Sequence, residues 1–326
     1  MAAFSLRNLA EKYGIYIGSV AQLDTPECVE IIKKEFNIVT AATFYFGMVH
    51  PERDVYIFRN GDYVVNFAES NNMKVRGHTL VWHEALRSWI TDGKYTREEW
   101  MKILHEHIMT IVRRYRGRIY AWDVVNEAIS DNGNLRENVW LRNIGPEYIK
   151  MAFRWAHEAD PQALLFYNDY GAEGLNAKSD AIYNLVKGLL KEGVPIHGIG
   201  LQMHVSLENP PNPKEVAANI KRLNDLGLEV HITEMDVRIR MPAKWEDFIK
   251  QAEIYRDILR VCLSMDNCKA FVMWGFTDKY SWIPTYFPGY DAPLIFDENF
   301  KPKPAYHYIA VTLMEHVFKK QLKSTI

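Results

Sequence analysis

Short runs dense in apolar and β-branched residues alternate along the chain with longer stretches whose apolar positions recur at helical spacing. The runs are IYIGSVA (15–21), NIVTAATF (37–44), KVRGHTLVW (74–82), IYAWDVVNE (119–127), LLFYNDY (164–170), IHGIGLQMHV (196–205), LEVHITEMDV (228–237) and KAFVMWGFTD (269–278). They predict eight strands. Of the stretches between, TREEWMKILHEHIMTIVRRYRG (96–117) opens on Thr96 followed by Glu98 and Glu99, a capping-box pattern, and closes at Gly117. SDAIYNLVKGLLKEG (179–193) and PKEVAANIKRLNDLG (213–227) repeat the plan, each stopping at a glycine. Nearly continuous apolar strands alternating with helices argue for a parallel sheet covered on both faces. Eight such units in 326 residues predict an α/β fold, a single (β/α)8 TIM barrel spanning 1–326, rather than an open doubly wound sheet.

Composition narrows the classes. Hydrophobic residues make up 48% of the chain, enough for a large core. The net charge is only -2, and the densest basic cluster, Arg113, Arg114, Arg116 and Arg118, reads as a solvated helix end, so no nucleic acid or membrane partner is expected. No apolar stretch approaches the roughly 20 residues of a membrane span. The opening MAAFSLRNLAEKYG reads as an amphipathic helix without the apolar block of a cleavable signal. A cytoplasmic monomer is the expectation for the chain as written, and a secreted one if a leader has been removed. Neither GxGxxG nor GxxxxGK[ST] occurs, which argues against nucleotide cofactors. Cys28 reads as a small buried apolar residue. Cys262 and Cys268 flank LSMDN closely enough for a bridge but are expected as two thiols. HEHI (105–108) lacks the HExxH spacing, so neither metal nor cofactor is expected.

In a barrel of this kind chemistry gathers where strands finish. Those ends carry His78 and Trp82, Asn126 and Glu127, Asn168, Asp169 and Tyr170, Gln202 and His204, Glu234 and Asp236, and Trp274. Any one of them alone reads as a loop carboxylate or a hydrogen-bonded structural side chain. Together, two glutamates at the fourth and seventh strand ends among His, Asn, Gln and Trp describe a pocket for sugar hydroxyls and sugar faces. Glycoside cleavage needs such a pair: one carboxyl group gives a proton to the departing oxygen, and the other meets the charge growing at the anomeric carbon. A separation of about 5 to 5.5 Å retains configuration, and about 6.5 to 9.5 Å inverts it.

The motifs GHTLVWH, WDVVNEAISDNG, GIGLQMHV, HITEMDVR, WGFTDKYSWIP and LIFDENFKPKPAY resemble glycoside hydrolase family 10, the retaining endo-β-1,4-xylanases. The resemblance runs in order from the third strand to the end. It implies Glu127 as acid/base and Glu234 as nucleophile, with Asn126 on the 2-hydroxyl of the reacting sugar and His204, backed by Asp236, against Glu234. His78, Trp82, Gln202, Trp274 and Trp282 would line the glycone side and the reacting sugar, and Tyr170 would stack on the leaving-group side. It implies xylan or xylo-oligosaccharides as substrate. The second strand departs from the pattern: where the family has a Glu, an Asn, a Lys and a Trp, TAATFYFG has Ala42, Thr43, Phe46 and Gly47, and Ala85 replaces a Gln after the third strand. These losses weaken one glycone subsite and open an alternative, an exo-acting or aglycone-directed β-glycosidase. Phe44, Tyr45 and Phe46 either form a new aromatic wall or fill the barrel rim. A carbohydrate-binding barrel without catalysis is the competing class, and the survival of both carboxyl positions argues against it.

Overall fold

A computed structural model describes residues 5–324. Eight strands form the barrel: β1 (Tyr16–Val20), β2 (Ile38–Ala41), β3 (Lys74–Val81), β4 (Ala121–Asn126), β5 (Leu164–Asp169), β6 (Gly198–Leu201), β7 (Glu229–Arg240) and β8 (Cys268–Met273). Each pairs in parallel with the next, and β8 pairs with β1 to close the ring. All eight expected strands are present, and most are shorter than the apolar runs: β2 stops at Ala41, three residues before the expected 44, and β4 starts at Ala121, two after the expected 119. β6 stops at Leu201 because Met203 takes a left-handed conformation (φ 68°), and the chain resumes pairing as His204–Ser206 beside β7. β7 runs on to Arg240, where Tyr290–Asp291 pairs with it antiparallel. β8 ends at Met273, two residues before Gly275 turns the chain at φ 105°.

The helices follow their caps. Arg97–Arg114 starts from Thr96, whose hydroxyl accepts from the Glu99 amide at 3.3 Å while the Glu99 carboxylate accepts from the Thr96 amide at 2.8 Å. Such a cap stabilises by about 1 kcal/mol. Ala177–Lys191 begins two residues before the expected start, because Asn176 is the cap and Ser179 its reciprocal partner. Pro213–Asn224 starts where expected. Leu6–Tyr13 is the N-terminal helix; residues 1–4 of the helical reading lie outside the described residues. Glu35, buried between the two ends of the chain, accepts from the Leu6 amide at 2.9 Å and from the Tyr306 hydroxyl at 3.0 Å. Tyr306 belongs to the last helix, Pro304–Ser324.

Trp100, Trp122 and Trp140 are among the largest fully buried side chains between strands and helices. Cys28 is buried and free, as expected. The reading of Cys262 and Cys268 as thiols is corrected: they are joined in a disulfide, with Cα atoms 5.1 Å apart. The turn between the helix Trp245–Ser264 and β8 brings them together, a geometry that a spacing of six residues permits without dictating.

Candidate active site

Glu127 is the first residue beyond β4, and its backbone is left-handed (φ 57°). A non-glycine residue takes that conformation at a cost and keeps it where its surroundings hold it there. Two hydrogen bonds do so: the Glu127 amide donates to the Asn168 carbonyl at 2.9 Å, and Arg136 Nε donates to the Glu127 carbonyl at 2.8 Å. Glu234 lies within β7, 4% exposed, its amide donating to the Gln202 carbonyl at 3.0 Å. The two carboxyl groups thus belong to strands three places apart round the ring, Glu127 just past the end of β4 and Glu234 inside β7 rather than at its expected end.

Amide side chains connect them. Asn168 Nδ2 donates to Glu234 Oε1 at 2.6 Å and to Asn126 Oδ1 at 2.9 Å. Asn126 Nδ2 donates to Glu127 Oε1 at 3.2 Å, and Gln202 Nε2 to the same oxygen at 2.9 Å. The indole of Trp82 donates to Glu127 Oε2 at 2.9 Å. Glu127 therefore meets neutral donors. Glu234 meets a histidine as well: its Oε2 lies 3.2 Å from His204 Nε2, while His204 Nδ1 is 2.8 Å from Asp236 Oδ2. Burial works against a charged His204 ring, but Asp236 and Glu234 outweigh it and raise the ring to about 10. At neutral pH His204 is an imidazolium clamped between two carboxylates. Trp282 Nε1 also donates to Asp236 Oδ2, at 2.8 Å, so one carboxylate orients a ring on each side.

A second chain rises through the barrel interior. Arg76 is fully buried and bonds both Asp123 and His231, and Asp123 Oδ2 lies 2.9 Å from His78 Nδ1. Burial opposes charge at His78, and the Asp123 contact and Glu234 overcome it, so its pKa is raised. Burial holds His231 down to about 4, leaving it a neutral partner for Arg76. Pairing is what makes a buried guanidinium tolerable, and here it fixes His78 from beneath.

These groups open into a cleft of about 620 Å³. Of the expected residues, His78, Trp82, Asn126, Glu127, Tyr170, Gln202, His204, Glu234, Trp274 and Trp282 all line it. Asp236 does not; it stands behind His204. The edge of Trp274 meets the His78 ring at 5.2 Å, and Trp282 lies 4.9 Å from His204. Tyr170 is held from behind: Arg136 Nη2 donates to its hydroxyl at 3.0 Å, and Lys178 Nζ sits 3.4 Å from its ring centre. A larger hollow of about 790 Å³ lies at the other end of the barrel, by the disulfide, without paired glutamates.

The departing segment resolves into two roles. Phe44 and Phe46 are core residues, Phe44 packed on Trp122 at 5.0 Å and Phe46 stacked on His107 at 3.8 Å. A wall of three aromatics is therefore corrected to one, because only Tyr45 reaches the cleft. Gly47 and Ala85 meet through their backbones, the Gly47 amide donating to the Ala85 carbonyl at 2.8 Å. The sequence reading assigned no role to Arg76, Asp123, Glu84, Arg238, Tyr286 or Phe287, of which the last four line the cleft. Arg238 ends HITEMDVR, Asp123 lies in WDVVNEAISDNG and Arg76 in KVRGHTLVW, but nothing local gives any of them a partner, and Glu84, Tyr286 and Phe287 fall outside the motifs. Asn168 was noticed at its strand end without a partner. Among the described residues no cluster of His, Cys, Asp and Glu has the arrangement of a metal site.

Comparison with known proteins gives one direction. The model of the family described as "Glycosyl hydrolase family 10" matches residues 5–312. The chain is 47% identical over 324 residues to endo-1,4-beta-xylanase B of Thermotoga neapolitana, covering 97% of this chain and 93% of that protein. Its fold matches native xylanase 10B of Thermotoga maritima with a TM-score of 0.94 at 47% identity, over 97% of this chain and 99% of that one. Xylanase 10B of Thermotoga petrophila, solved in complex with xylobiose, gives 0.94 at 48% identity over the same shares.

Proposed function

The chain belongs to glycosyl hydrolase family 10, and from that premise we propose that it hydrolyses β-1,4-xylosidic bonds in xylan or xylo-oligosaccharides by double displacement, with Glu127 as acid/base and Glu234 as nucleophile. The observation that carries the assignment of roles is the difference between the two carboxyl groups' neighbours. Glu234 faces the His204 ring on one oxygen and the Asn168 amide on the other, so both oxygens are held in place for attack. Glu127 is held by an indole and two amides, neutral donors that orient it. With substrate bound, Glu127 protonates the leaving oxygen and Glu234 attacks the anomeric carbon, breaking the C–O bond as the glycosyl ester forms. Glu127 then takes a proton from water, and the resulting hydroxide equivalent attacks the ester, freeing Glu234 and a sugar of unchanged configuration.

The supporting side chains follow. Asn126, bonded both to Glu127 and through Asn168 to Glu234, stands where a sugar 2-hydroxyl would meet both carboxyl groups. His78, Gln202, Trp82, Trp274 and Trp282 surround the reacting sugar, and Tyr170, fixed by Arg136 and Lys178, offers its face to the leaving group.

Glu234→Ala is expected to abolish turnover of xylan. Glu127→Ala is expected to lower it by roughly 100- to 10,000-fold, the usual weight of a positioned proton donor. Proton NMR of the first-formed sugar tests the pathway: a β-anomer fits double displacement, and an α-anomer sinks it while leaving a glycosidase.

A further inference from the structure

Residues 44–46, Phe-Tyr-Phe, follow β2 at the cleft rim. Phe44 and Phe46 both point into the core, so Tyr45 between them points the other way, into the cleft. Its ring centre lies 5.5 Å from those of His78 and of Trp82. Among the described residues its hydroxyl has no hydrogen-bond partner, and it is not sealed from solvent. The segment is pinned: the Phe44 amide donates to the His78 carbonyl at 3.2 Å, and Arg87 Nε and the Ala85 carbonyl bond the Gly47 backbone, each at 2.8 Å. Gly47 suits this junction, since a Cβ there would lie 2.5 Å from the Ala85 oxygen. A mostly enclosed phenol on a fixed backbone, with its hydroxyl free and facing the cleft, is preorganised for a ligand.

We propose that Tyr45 binds the glycone sugar next to the reacting one, giving it one aromatic face and one hydroxyl where Ala42 and Ala85 have no polar side-chain group and the Thr43 hydroxyl is buried. This deepens the functional reading above and rests on it. Tyr45 follows β2, three strands round the ring from β5, which carries Tyr170 and the leaving-group side. Its ring stands beside His78 and Trp82, which flank the reacting sugar, so Tyr45 adjoins that sugar on its glycone flank, where the next sugar attaches. Burial, followed by the charges of Glu234 and Glu127, pushes the phenol pKa far up. The hydroxyl therefore keeps its proton and donates throughout the working pH range.

The test compares 4-nitrophenyl β-xyloside with 4-nitrophenyl β-xylobioside as substrates of the wild type, Tyr45→Phe and Tyr45→Ala. The second glycone sugar raises kcat/KM of the wild type. That gain is expected to shrink about 3- to 10-fold in Tyr45→Phe, the weight of one hydrogen bond to a neutral group, and further in Tyr45→Ala as stacking is lost. Circular dichroism on both variants guards against misfolding. An unchanged gain in both variants overturns the proposal, as does an equal fall on both substrates, which would place Tyr45 on the reacting sugar. A fall in Tyr45→Ala alone overturns the hydroxyl contact. Failure of the wild type to cleave either glycoside would instead strike the hydrolase reading itself.

Discussion

His204 carries a proton on each ring nitrogen, one toward Asp236 and one toward Glu234, and the stabilising effect of its charge has a direction in pH. A histidine whose folded pKa is about 10, against an ordinary value near 6.5, stabilises the fold fully below about pH 6.5. That contribution is lost as pH rises toward 10. Asp236→Asn removes the carboxylate that faces Nδ1 while keeping an acceptor oxygen for the ring and for Trp282. The folded pKa of His204 should then drop toward its ordinary value. The variant is expected to be less stable than the wild type at pH 6 to 7 and to lose less stability from there to pH 10. Melting temperatures of both proteins across that range check it, and parallel curves would show that Asp236 does not hold the proton. The paired glutamates and Asn126 could be read at this scale because each lies in a recognisable apolar run, although Glu234 stands within β7 rather than at its end. The Arg76, Asp123 and His231 chain could not, since it joins β3, β4 and β7 through register that only the closed barrel sets. Tyr45 was not legible from the pattern: β2 ends at Ala41 and a short helix starts at Phe46, so neither strand nor helix periodicity says which of residues 44–46 meets the cleft.

At the scale of elements, the strands explain a glycine that motif reading leaves unaccounted for. Gly200 in β6 lies opposite Asn168 in β5 and His231 in β7. A Cβ at position 200 would collide with the Asn168 amide oxygen and crowd Thr233 Cγ2 at 2.9 Å. That oxygen accepts from Thr233 Oγ1 at 2.7 Å, and the same amide donates to Glu234 and Asn126, so one methyl group would disturb both carboxyl groups. Gly200→Ala is expected to destabilise by about 1 to 3 kcal/mol, the ordinary cost of overpacking a filled core. It should also lower kcat/KM on xylan more than tenfold, because Asn168 moves. Urea unfolding and steady-state kinetics on one preparation separate the two effects, and a stable, fully active variant would mean Asn168 can shift without loss. Strand existence was plain from the apolar runs, whereas ends depended on backbone events such as the left-handed Met203 that cut β6 short. Helix starts shifted for a related reason, as at Asn176, whose capping role emerges once Ser179 turns back to it.

Across the whole molecule, chemistry and closure occupy opposite ends. The cleft sits where strands finish. The disulfide, the N-terminal helix and the last helix meet where strands begin, with the Tyr13 hydroxyl donating to the Leu263 carbonyl at 2.6 Å. Cys262 and Cys268 enclose a short loop, six residues apart in sequence. Chain-entropy reasoning gives so short a loop on the order of 2 kcal/mol of stabilisation by restricting the unfolded state. Unfolding entropy for a chain of this length turns that into a fall in melting temperature of about 3 °C once the bond is gone. The variant Cys262→Ser with Cys268→Ser is expected to melt by that margin below the wild type and to keep its kcat/KM on xylo-oligosaccharides, because neither residue touches the cleft or the strands' finishing ends. Adding reductant to the wild type should reproduce the shift, and should leave the double variant unmoved. A loss of activity in the variant would mean that strain at the base of β8 reaches Trp274 at its top, coupling the two ends that the barrel keeps apart.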